Sequence, residues 1–182
     1  MTPEKVIKYD FEVGMYRPPS EGGSFSLLLR FTRNCPWNKC TFCGMYKHEK
    51  FSLRTVEEIK GDIDSIAGLI EDLQSISQKM GHAGQINRDV IIAMIEKEPQ
   101  LNTSQSFGMV LNWLSSGGKT AFLQDGNSLM MASDKLVDVL TYLRSTFPAL
   151  KRCTTYARSK TLSRKSQEEL TAIRKAGLDR LH

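Results

Sequence analysis

FSLLLRFTRNCPWNKCTFC, residues 25–43, is the stretch on which the reading of this chain turns. Its first part, Phe25 to Arg33, is a nearly continuous run of large apolar residues. A run of this length suits a strand buried on both faces, as in a parallel sheet. Its second part carries Cys35, Cys40 and Cys43, spaced C-x4-C-x2-C, directly after that strand. Parallel α/β folds place their sites at the C-terminal ends of strands, so the cysteines stand where chemistry is expected.

Working outward, residues 1–24 read as an irregular N-terminal extension, with turn and extended chain in RPPSEGG at 17–23. Downstream, Thr55 and Glu58 make a capping-box pattern. Behind it Val56, Ile59, Ile63, Ile66, Ile70 and Leu73 step by three and four, which predicts an amphipathic helix. Residues 74–118 read as a helical insertion. Asn87 caps a helix carrying Val90, Ile91, Met94 and Ile95 that stops near Pro99, and a second helix carries Phe107, Val110, Leu111 and Leu114 up to Gly117 and Gly118. A strand follows at Thr120 to Leu123, then the turn QDGN at 124–127 and a helix from Ser133 that closes before Pro148. A third strand covers about Lys151 to Tyr156. Ser166 and Glu169 form a second capping box whose helix stops at Gly177, and LDRLH at 178–182 begins another strand. This alternation predicts an α/β fold of about four parallel strands with right-handed crossovers. A sheet that stops there reads as part of a longer (β/α) barrel, because an unclosed barrel leaves an edge bare. A complete small open-sheet domain is the alternative.

Composition narrows the classes. The chain has 182 residues, a net charge of +5, 40% apolar and 25% charged residues, which excludes collagen and bulk disorder. The longest aliphatic run, Val90 to Ile95, falls far short of the ~18 apolar residues of a membrane span. The start, MTPEKVIKYDFEVG, lacks the apolar block of a signal peptide. The expectation is a cytoplasmic protein with no membrane partner and with reduced thiols. From Val139 to Gln167 there is no acidic residue, while Arg144, Lys151, Arg152, Arg158, Lys160, Arg164 and Lys165 all fall there. Such a field attracts anions, including nucleic acid; a solvated basic face is the plainer reading.

A tight thiol cluster in a reducing compartment points to metal or redox chemistry. A closed zinc site needs a fourth ligand, for which His48 and Cys153 are candidates. Three thiolates alone suit an iron–sulfur cube with one open iron. Cys153, in a predicted strand, reads as a small apolar residue and His48 as a polar loop residue. Met94, Met109, Met130 and Met131 read as packing. Trp37 either shields the cluster or packs, and Arg158 and Lys160 follow the third strand on the presumed active face.

CPWNKCTFC at 35–43 resembles the cluster loop of the radical S-adenosylmethionine (radical SAM) superfamily. The superfamily's commonest spacing, C-x3-C-x2-C, is one residue shorter. YRPPSEGGSFSLLLRFTRNCPWNKCTFCGMYK at 16–47, FLQDGN at 122–127 and TYARSKTLSRKSQEELTAIRKAGLDRLH at 155–182 are together similar to a bacterial and archaeal subgroup that shares the longer loop. The resemblance implies an enzyme whose core, residues 25–182 with 74–118 inserted, is the N-terminal part of a TIM-like radical SAM barrel. It implies that Cys35, Cys40 and Cys43 each bind one iron of a 4Fe–4S cluster, the fourth iron chelating S-adenosylmethionine. Phe42 matches the aromatic position near the adenine. Gln124, Asp125, Gly126 and Asn127 occupy the turn that meets the methionyl amine, in place of the commoner Gly-Gly-Glu. The implied reaction is reductive cleavage to a 5′-deoxyadenosyl radical that abstracts hydrogen from a substrate. A flavodoxin- or ferredoxin-like protein would supply the electron, and the basic stretch points to an anionic substrate or RNA. No acid–base pair is required, since the cofactor carries the chemistry and the protein positions it. A small zinc-binding module for nucleic acid, or an inactive remnant, are the competing readings.

Overall fold

The computed structural model describes residues 8–14 and 25–182; the turn read at 17–23 lies outside them. The elements are β1 (Leu27–Arg30), β2 (Thr32–Arg33), β3 (Ser52–Leu53), α1 (Val56–Lys79), α2 (Arg88–Lys97), α3 (Gln105–Ser115), β4 (Thr120–Gln124), α4 (Ser133–Thr146), β5 (Arg152–Thr155), α5 (Ser159–Leu162), α6 (Gln167–Ala176) and β6 (Arg180–Leu181). Strands β1, β4, β5 and β6 form a parallel sheet in that spatial order, each joined to the next through helices.

The helix starts follow from their caps. The Thr55 hydroxyl accepts from the Glu58 amide at 3.1 Å, and the Glu58 carboxylate accepts from the Thr55 amide at 2.7 Å. Ser166 and Glu169 repeat the arrangement at α6, and Asn87 accepts from the Val90 amide at α2. Each such cap supplies partners for amides that the helix itself leaves orphaned, and losing one costs about 1 kcal/mol. At its other end α6 stops at Gly177, whose φ of 116° suits glycine. Helix α1 runs to Lys79, six residues into the segment read as inserted, because its apolar stripe continues through Ile76 and buried Ser77. The short α5 has no apolar periodicity and was not expected.

The apolar run 25–33 does not make one strand. β4 offers its last ladder partner at Gln124, whose carbonyl accepts from the Phe31 amide at 2.6 Å. Thr32 and Arg33 then pair antiparallel with Leu53 and Ser52, which closes residues 34–51 into a loop at the C-terminal edge of the sheet.

Register and the two-residue period assign the faces. Leu27, Leu29, Ala121, Leu123 and Cys153 share one face and one core with Ile59, Ile63 and Ile66 of α1, Leu136, Leu140 and Leu143 of α4, and Ile173 of α6. Helix α4 packs between α1 and α6. Each fully buried aliphatic contributes roughly 1.5–3 kcal/mol from burial. The opposite face mixes Leu28 and Phe122 with polar groups and brings Arg30 and Gln124 side by side at the C-terminal edge. Tyr9 and Phe11 are buried in the same core, so part of the N-terminal extension is packed chain. Among the described residues no helix is long and apolar enough to cross a membrane.

Candidate functional site

The cysteine loop is folded on itself by polar contacts to its own backbone. The chain leaves β2 through Asn34 at φ 66°, and Asn38 and His48 also adopt positive φ. Asparagine tolerates this region better than other side chains. The Asn34 amide group donates to the Lys50 carbonyl at 2.8 Å. The Asn38 amide group donates to the Tyr46 carbonyl, and Lys47 donates to the Asn38 carbonyl at 3.3 Å. Cys35, Cys40 and Cys43 are free thiols of intermediate exposure. Cys35 and Cys43 open onto one cavity of about 450 Å³, which Phe42, Tyr46, Gly126 and Tyr156 also line. Cys40 lies on the same loop but does not line that cavity.

The turn after β4 meets this loop directly. A Cβ on Gly126 would stand 3.4 Å from the Cys35 Cβ and 3.5 Å from its sulfur. Of the residues expected to touch a cofactor, Gly126 and Phe42 line the cavity, Phe42 with 91% of its surface exposed. Gln124, Asp125 and Asn127 are buried beneath it. The Gln124 side chain accepts from the Gly14 amide at 3.0 Å. Asn127 donates to the Thr161 hydroxyl at 2.7 Å. The Gln124–Asp125 peptide is cis. Met94, Met109 and Met131 are core residues as read, whereas Met130 is exposed beside a cavity at the start of α4.

Cys153 and His48 take the plainer roles. Cys153 is fully buried and in register with Ala121 and, through it, with Leu27 at the start of β1. Four residues of strand, at ~3.3 Å each, put it roughly 13 Å below the loop. His48 is an exposed loop residue. Arg158 stacks on Trp37, its guanidinium 4.2 Å from the ring centroid, and so ties the exit of β5 to the cysteine loop. Lys160 is exposed.

A charged network lies under the loop, and sequence reading did not find it. Glu12 accepts from Arg30 at 2.8 Å and from Arg33 at 2.6 Å, and it stands 3.3 Å from the Arg54 guanidinium. Arg54, 4% exposed in its side chain, pairs with Asp62 at 2.5 Å and donates to the Arg30 carbonyl at 2.8 Å. Burial works to raise the Glu12 pKa, but the guanidiniums of Arg33, Arg54 and Arg30 hold it below the ordinary carboxylate range. For Asp125 and Asp62 burial wins, and both are raised despite their arginine partners. Burial, reinforced by the Asp125 charge, also pushes the Tyr46 phenol up. The one sequence signal was Arg30 itself, a charge set inside LLLRF. Glu12 lies in a stretch without periodicity.

The donor set fits an iron–sulfur cluster in kind and number: three free, half-exposed thiols on one loop, two of them on one cavity. Among the described residues no three His, Cys, Asp or Glu side chains are gathered for a single metal ion. A cube asks something different of its ligands, because each thiolate binds its own iron corner. No family model, curated protein or solved structure matches the chain.

Proposed function

We propose that this chain is the N-terminal part of a TIM-like radical SAM barrel, with Cys35, Cys40 and Cys43 as the cluster ligands. The observation that carries the reading is the placement of three free thiols on the loop after β2, at the C-terminal edge of a parallel sheet, against the Gly126 turn and a cavity of about 450 Å³. When bound, a 4Fe–4S cluster supplies the electron that splits S-adenosylmethionine into methionine and a 5′-deoxyadenosyl radical. The chain's own part is positional. Gly126 presents bare backbone to the cavity beside Cys35, Phe42 offers an exposed ring for stacking against a planar base, and Tyr156 also lines the cavity. Arg158 is engaged with Trp37, whereas Lys160 and Arg164, farther along the chain, are exposed cations for an anionic substrate.

The test is anaerobic reconstitution of the chain with iron and sulfide. The expected product is brown, with about four iron and four sulfide per chain. Cys35→Ala, Cys40→Ala and Cys43→Ala each abolish it and Cys153→Ala does not. In the longer barrel protein of which the chain is here proposed to be a part, dithionite with S-adenosylmethionine then releases 5′-deoxyadenosine. A colourless protein holding one tight zinc, or a normal cluster in Cys40→Ala, overturns the assignment.

A further inference from the structure

We infer that residues 8–14 form a strap that sets the aim of Cys35, with Asp125 as the positioning residue through which the strap acts. The chain of contacts is continuous. Asp125 Oδ2 accepts from the Asn34 amide at 2.8 Å, immediately before Cys35, and from Arg30 Nε at 2.8 Å. Arg30 also donates to the Asn34 side-chain oxygen at 3.2 Å. The residue that turns the chain into the loop is thus held at its backbone and at its side chain. The Asp125 amide in turn donates to the Thr32 carbonyl at 3.2 Å, which fixes the strand end leading to that turn.

The strap holds this hub from the other side. Glu12 pairs with Arg30 at 2.8 Å and keeps its guanidinium between two carboxylates. Gly14 is paired with the Gln124 side chain through its amide at 3.0 Å and its carbonyl at 3.4 Å. Gly14 also presses against the hub, since a Cβ there would stand 2.2 Å from Asp125 Oδ1. Oδ1 has no well-formed hydrogen bond among the described residues, and the Asp125 side chain has no exposed surface. Asp125 therefore does not reach the cavity that Cys35 and Cys43 line. It works on the loop from beneath, through charge-assisted hydrogen bonds that tolerate little displacement. A buried carboxylate held by a guanidinium and a backbone amide is a stiff joint, and a joint beside a thiol fixes where its sulfur points.

This inference deepens the cluster-ligand reading, but its first readout needs no metal. Iodoacetamide labelling of the metal-free chain, resolved by peptide mass spectrometry, gives the rate at each cysteine. Glu12→Gln, Gly14→Ala and Asp125→Asn are expected to raise the Cys35 rate about tenfold relative to Cys40, equivalent to about 1.4 kcal/mol of loop restraint. Buried Cys153 should stay protected, and Glu12→Asp, which keeps the charge, should restore much of the slow Cys35 rate. The second readout is the sulfide-to-iron absorbance after reconstitution, expected to weaken in Glu12→Gln while the melting temperature changes little. Two results overturn the inference: an unchanged Cys35-to-Cys40 ratio in all three variants, or Cys153 labelling in step with Cys35, which assigns the strap to the fold alone. A wild-type chain that takes up no iron defeats the cluster reading and leaves the labelling result standing.

Discussion

The helix-covered face of the sheet and its C-terminal edge are built by different physics, although the same four strands supply both. On the helix side Ile59, Ile63, Ile66, Leu136, Leu140 and Leu143 are fully buried, and each contributes through area removed from water. That term is non-directional, so the layer can adjust to small changes. At the C-terminal edge the cysteine loop is held by Asn34, Asn38, Arg30, Arg54, Glu12 and Asp125 through hydrogen bonds and ion pairs. Those contacts are directional and few. The difference teaches where a substitution acts: on the helix side it changes how much stability there is, and at the edge, away from the buried Arg54–Asp62 pair that joins the two, it changes where a thiol sits.

The largest expected effect comes from the junction of the two regions. Arg54 is buried, and it ties α1 through Asp62 to the strand end through the Arg30 carbonyl. Arg54→Ala leaves the Asp62 carboxylate buried without its partner, at a cost of about 3–5 kcal/mol. Urea unfolding measures it. A loss below about 1 kcal/mol would mean that the network is dispensable to the fold, as exposed pairs are.

A smaller effect sharpens the contrast. Ile63 is fully buried in α1 and belongs to the apolar core, although it follows Asp62 of the network in the chain. Ile63→Val removes one methylene and is expected to lower stability by about 0.5–1.5 kcal/mol. The relative labelling rates of Cys35 and Cys40 should not move. If they do, the loop is set by the core and the separation drawn above fails.

The same division decides what could be read from sequence. The helix side was legible because periodicity and caps are local: Thr55 with Glu58 and Ser166 with Glu169 form the capping boxes expected of them. The parallel sheet follows from alternation, and the cysteine spacing announces its loop. The break after Arg30 was not legible, because it depends on β4 running out of ladder partners at Gln124. Glu12 was invisible for a similar reason. Nothing in its neighbours shows that three arginines from residues 30 to 54 converge on it. The turn QDGN was found by position, yet its acid lies under the loop, because only register tells a side chain facing a cavity from one facing a strap.

The smallest effect tests the signs of the charges at the two ends of that network. The Glu58 carboxyl is held down to about 2, first by the Arg33 guanidinium at 2.7 Å and then by the Thr55 amide it caps. A folded-state pKa below the ordinary 4.5 contributes stability above that value and loses it as pH falls from about 4.5 toward 2. Its side chain is 39% exposed, so solvent screening keeps the contribution under about 1 kcal/mol. Asp62 and Asp125 act with the opposite sign. Their raised values mean that the folded chain holds those protons longer than the unfolded chain, so they oppose stability as pH rises past 3.8. Between neutral pH and about pH 2 the two contributions oppose each other, and Glu58→Gln removes only the first. Urea midpoints should therefore show Glu58→Gln weaker than wild type near the upper pH, with the gap closing as acid is added. A gap that widens in acid would mean that the Arg33 pairing does not hold Glu58 down in solution.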